Sequence, residues 1–144
     1  VHDDTIRRMV NASFRTPAPV AEFARQLGES EGLDPWFEKA STTLNAGCPT
    51  TAHLIAEQIR RSRGLTLKQT FMMELAMAIQ CSRHPDFTEG VRALLIDRDN
   101  RPDWAYEGLA EVPAAWVEEH FVLPVGGEQP LADLAEPGVT TWRK

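Results

Sequence analysis

Lysine is scarce in this sequence, with three residues against twelve arginines. Acidic side chains outnumber basic ones by 21 to 15, for a net charge of −6. That balance excludes the basic stripe by which a protein meets nucleic acid. Cysteine is equally sparse. Cys48 and Cys81 lie far apart, which excludes a disulfide framework. With no signal peptide in view, reduced thiols in a cytosol are the default. The four histidines, His2, His53, His84 and His120, are isolated, and neither cysteine belongs to a set with zinc-ligand spacing. No metal and no cofactor are expected. No apolar run approaches the roughly 20 residues that cross a bilayer, so no membrane partner is expected either. Sustained apolar–polar alternation, the mark of strands, is also missing.

What remains is helical spacing, punctuated by Gly and Pro. Ile6, Met9 and Val10 set a first helix over 3–14. Thr16 to Pro19 break it, and a second runs over 20–27, closed by Gly28. Pro35 behind Asp34 opens a third, over 36–45, which Gly47 ends. Pro49 opens a fourth, with Leu54, Ile55 and Ile59 on its apolar side. Arg60, Arg61 and Arg63 sit in its last turn, where cations favour the helix dipole, and Gly64 is placed to close it. Thr66 and Gln69 form a capping box for a fifth helix reaching about residue 83. That helix is apolar on two sides: Leu67, Phe71, Leu75, Ala78 and Ile79 on one face, with Met72, Met73, Ala76 and Met77 beside them. Such a helix is buried from both sides or leaves a patch exposed. Self-association through Met72, Met73 or Met77 is therefore expected. A last helix spans 113–121. The expected fold is all-α, an irregular bundle of about six or seven helices over 1–122. An irregular tail over 123–144 has one turn near Leu131 to Leu134 and Trp142 available to pin its end.

The run His84 to Trp104, HPDFTEGVRALLIDRDNRPDW, is the most informative. Pro85 fixes φ ahead of a sixth helix, over 86–96. Asp86 is placed as its N-cap, with Glu89 completing a capping box. Val91, Leu94 and Leu95 share a face. Asp97-Arg98-Asp99-Asn100 ends the helix and Pro102 keeps it ended. Trp104, in an otherwise polar loop, reads as an anchor whose loss costs about 3 kcal/mol or more. This string closely resembles the C-terminal signature of 3-hydroxyisobutyryl-CoA hydrolases, a branch of the enoyl-CoA hydratase/isomerase (crotonase) superfamily. The resemblance extends over residues 3–121, through DDTIRRMVNASFRTPAPVAEFARQL, the helix pair beginning CPTTAHLIAEQIRRSRG, and EVPAAWVEEHF.

The resemblance implies a parent enzyme that hydrolyses a short-chain β-hydroxyacyl-CoA thioester in valine breakdown. It implies that the oxyanion hole and acidic catalytic residues lie in an upstream αββ-repeat domain. No catalytic residue of the family can be carried onto a position here. Val1 is not a Met start and leads straight into a helix, so the chain is expected to be a piece whose partner is that upstream domain. It would meet acyl-CoA through the parent. Arg98 is the basic residue placed nearest the CoA nucleotide, although Asp97 stands where hydratases often carry Lys. An arginine-rich composition suggests a bacterial cytoplasm, or the mitochondrial matrix if the source is eukaryotic. Two alternatives are a hydratase or isomerase parent and a stand-alone helical interaction module.

Other candidate chemistry is weaker. Asp97, Asp99 and Asp103 suggest a calcium loop, but Arg101 and Pro102 occupy a ligand position and the required Gly position. Cys81 and His84 are close enough for a nucleophile pair, yet nothing marks a third, orienting group. Glu74 among Met73, Leu75 and Met77 is either a perturbed acid or a structural one. The arginine cluster at 60–63 needs no ligand to explain it.

Overall fold

A computed structural model describes residues 2–16, 18–30, 32, 34–124 and 129–134. Seven α-helices form among these residues, and no strand does. They are α1 Asp3–Ser13, α2 Pro19–Glu29, α3 Pro35–Ala46, α4 Pro49–Ser62, α5 Leu67–Arg83, α6 Pro85–Val91 and α7 Ala114–Glu119. The all-α expectation holds.

Proline sets the start of four of these helices. Pro19, Pro35, Pro49 and Pro85 each open one at its first position. There the missing N–H costs nothing and the fixed φ suits the first turn. Asp34 caps α3 by accepting from Trp36 N at 2.7 Å. The capping box of α5 is complete: Thr66 N donates to Gln69 Oε1 at 2.8 Å, and Gln69 N to Thr66 Oγ1 at 3.2 Å. Gly64 turns the chain between α4 and α5 at φ 84°, a conformation that favours glycine.

The packing has two parts. α2 lies against α1 and α3, and Met9, Leu27 and Phe37 form a core flanked by Phe23, Ala40 and Leu44. α4 joins this cluster through α2 and carries α7 on its other side. The arginine cluster explains that second contact. Arg61 pairs with Glu57 and with Glu118 of α7, and lies 4.1 Å above the Phe121 ring. Arg60 also pairs with Glu57. Gln80 Nε2 donates to Val122 O at 2.8 Å, tying the end of α7 to α5. The expected turn near residue 131 is present, with Leu134 N donating to Leu131 O, and Lys68 Nζ fastens it to α5 through Ala132 O at 2.7 Å. Trp142 lies outside the described residues.

Several expectations need correction. Gly28 lies inside α2, which continues to Glu29. α6 starts at Pro85, one residue before the expected cap, with His84 at the N-cap position and no side-chain cap. Asp86 is thus a first-turn residue, and its carboxylate is used elsewhere. Glu89 closes no capping box. After Val91 the helix widens into a π-turn, Arg92–Ile96, with Asp97 N donating to Arg92 O at 2.8 Å. The apolar stripe does not turn inward there: Leu94, Leu95 and Ile96 are 52%, 67% and 69% exposed. On α5, Leu67, Phe71 and Ala78 are exposed, and Met72, Met73 and Met77 are half-buried.

Candidate functional site

The sequence run from Glu89 to Trp104 folds into a single clasp. Arg92 Nη1 donates to Asp97 Oδ2 at 2.6 Å and to Asp99 Oδ2 at 2.9 Å. Its Nη2 donates to Glu89 Oε1 at 2.7 Å and Arg101 O at 3.0 Å. Glu89 also accepts from Asp103 N at 2.8 Å. One guanidinium thereby closes the loop from both ends, its planar fork matching several acceptors at once. It holds the Glu89 and Asp99 carboxyls below the usual carboxylate range. The loop backbone passes through the left-handed region at Arg98 (φ 55°) and Asn100 (φ 53°), and the clasp keeps it there. Gly90 explains the Trp. A Cβ at Gly90 would lie 3.3 Å from the Trp104 ring, so the indole rests directly on the helix backbone. The expected anchor is in place and half-buried.

Beside this clasp lies a cavity of about 370 Å³. The start of α4, the end of α5, α6, Trp104 and His120 line it. Leu54, Phe87, Val91, Leu94 and Leu95 are among its apolar lining, and Cys48, Cys81, His84, Asp86 and His120 line it as well. Cys48 Sγ donates to Asp86 Oδ2 at 3.5 Å, and Asp86 Oδ1 accepts from Ala105 N at 2.8 Å. Burial pushes the Cys48 thiol up, and does the same to Cys81.

His84 stacks on His120 with ring centres 4.2 Å apart, and its edge meets Trp116 at 4.3 Å. His120 is 1% exposed and donates from Nδ1 to Trp116 O at 2.7 Å. His84 is pushed below the ordinary histidine value, first by burial and then by the neighbouring His120. Glu119, 3.6 Å away, and Asp86 oppose the shift, while Arg83 adds to it.

An activated Cys–His pair needs a thiol pushed down by an adjacent base. Here both thiols are pushed up, and His84 is engaged with rings. Glu74, the other candidate, accepts from Gln58 Nε2 at 3.0 Å and braces α4 to α5. Asp97 and Asp99 are turned onto Arg92, and among the described residues no group of His, Cys, Asp and Glu is arranged to hold a metal ion. Arg98 is exposed on the clasp, with Nε donating to Leu95 O at 3.4 Å. Sequence reading missed the convergence of Cys48, Asp86, Trp116 and His120 on the corner at His84. The segments involved lie far apart in the chain, and no local spacing announces that they meet.

A second cavity, of about 280 Å³, lies between α1, α2 and α4. Its lining, including Phe14, Phe23, Ile55 and Ile59, is almost wholly apolar.

The family model described as enoyl-CoA hydratase/isomerase matches residues 2–121. Among curated proteins, the chain is similar to the mitochondrial 3-hydroxyisobutyryl-CoA hydrolases of several organisms. The human protein is 32% identical over 120 residues, which is 83% of this chain and 29% of the relative. The Gallus gallus protein is 37% identical over 92 residues, or 64% of this chain and 24% of the relative. The Danio rerio protein is 39% identical over 83 residues, or 58% and 22%. The chain thus spans about a quarter of the length of these relatives.

Proposed function

Because the chain belongs to the enoyl-CoA hydratase/isomerase family, we propose that it forms the C-terminal helical portion of a 3-hydroxyisobutyryl-CoA hydrolase-like thioesterase of valine breakdown. In this reading it supplies no catalytic group. Hydrolysis of an acyl-CoA thioester passes through an anion that needs preorganised donors around the developing oxygen charge. Those donors, and the acidic residues that move protons, belong to the αββ portion of such an enzyme. The helical portion closes over the acyl-CoA, keeps bulk water from the reacting thioester, and braces the catalytic body and its subunit contacts. Arg98, exposed on the clasp, is the residue we assign to the charged end of CoA. We place the protein in a bacterial cytoplasm, or in the mitochondrial matrix if its source is eukaryotic.

One observation carries the proposal. Among the described residues, Arg92 locks the loop, Arg61 fastens α7, and burial pushes both thiols up, away from the activated form. A hydratase or isomerase parent is the second reading, favoured by the description of the matching family model.

Both readings meet one test. The chain is mixed with the part of the human relative that lies outside the matched stretch, and thiol release from 3-hydroxyisobutyryl-CoA is followed beside hydration of crotonyl-CoA. The mixture should release thiol, while neither half does so alone. Hydration without thiol release would move the assignment to the hydratases. Full activity of the relative's part by itself would demote the chain to an interaction module.

A further inference from the structure

The clasp presents something the packing does not use. Leu94, Leu95 and Ile96 follow one another on the π-turn, all more than half exposed, and Phe87 is 59% exposed. Phe87, Leu94 and Leu95 also line that cavity, so they form its lip. Three adjacent aliphatic side chains in water are unfavourable for an isolated surface. π-turns are rare and recur at functional places. This one is also held stiff, because Arg92 binds Asp97 and Asp99 directly behind it. A rigid apolar projection beside an apolar hollow needs little ordering when a partner arrives, and so binds at lower entropic cost.

We infer that this lip, Phe87 with Leu94 to Ile96, is the surface onto which the catalytic body of the enzyme docks, a large apolar side chain of that body filling the cavity. The inference rests on the hydrolase-like reading above. The occupant follows from length: the matched stretch is between 22% and 29% of the Danio rerio, Gallus gallus and human relatives, so the larger part of such an enzyme lies outside it. A different exposed apolar pair, Ile55 and Ile59 at 52% each on α4, lines the second cavity. That pair serves as the control.

The test uses the 144-residue chain co-expressed with the part of the human relative that lies outside the matched stretch. Two double variants are compared with wild type, Leu95→Asp/Ile96→Asp at the lip and Ile55→Asp/Ile59→Asp on α4. All four positions are exposed, and thermal melts of each chain alone verify the fold. The lip variant should weaken association about a hundredfold or more, since two carboxylates would have to be buried without partners. The α4 variant should stay within about threefold of wild type, as expected for sites outside an interface. If wild type associates but the lip variant binds equally well, or the α4 variant loses binding instead, the lip is not the docking surface although the hydrolase-like reading stands. If the lip variant abolishes only pairing between copies of this chain, the occupant is a second copy and the inference fails. If wild type shows no association with that part of the relative at all, the hydrolase-like reading itself fails.

Discussion

Gly90 and Trp104 fit each other at the scale of single atoms. Adding one methyl at Gly90 would bring a carbon to 3.3 Å from the indole, tighter than ordinary contact. Gly90→Ala should cost about 1 kcal/mol as the ring shifts, and Trp104→Ala about 3 kcal/mol, the low end for a buried aromatic because the indole is only half-buried. Denaturant melts measure both, and a Trp104→Ala loss below about 1 kcal/mol would mark the indole as a surface group. At His84 the sign of the pH effect is fixed by the direction of its shift. Its folded value lies below the ordinary 6.5, so the fold prefers the neutral ring. The stability this gives is present above pH 6.5 and is lost as pH falls through the folded value. Wild type should therefore lose melting temperature between about pH 7 and about pH 5 faster than His84→Gln. Parallel losses in the two proteins would mean that the stack with His120 and Trp116 has no role in acid sensitivity.

Local signals decided how much of each helix could be read from sequence. The capping box at Thr66 and the proline starts at Pro35 and Pro49 were legible because caps are written in neighbouring residues. Thr66→Ala should cost about 1 kcal/mol in a denaturant melt, as an uncapped helix does. The sixth helix misled for a physical reason. The sequence Pro85-Asp86 permits either residue to lead, and the proline took the first helical position, freeing the Asp86 carboxylate for Ala105 N and Cys48. The π-turn was not legible, because Val91, Leu94 and Leu95 read as one face at helical spacing. Arg92 grips Asp97, Asp99 and Arg101 across this turn, pairings that no helical spacing announces. Arg92→Met should loosen this grip and raise amide exchange at Asn100 and Asp103 ahead of the helices. Unchanged exchange there would show that the guanidinium does not hold the loop.

Across the whole molecule, two weakly joined parts share the work of holding shape. The α1–α3 cluster has its own core, and α4 links it to the corner where α5, α6 and α7 meet. The candidate site sits at that corner and was only half legible: the Glu89–Trp104 run stood out, while the histidine and cysteine convergence depended on contacts between distant helices. On the reading proposed above, this corner serves packing and supplies no catalytic group. The most direct measurement of that is thiol release from 3-hydroxyisobutyryl-CoA by the purified 144-residue chain alone, at high protein concentration. A rate equal to buffer is expected for wild type, Cys81→Ser and His84→Gln alike. Turnover by wild type that either substitution abolishes would contradict this and place an active site in the cavity at His84.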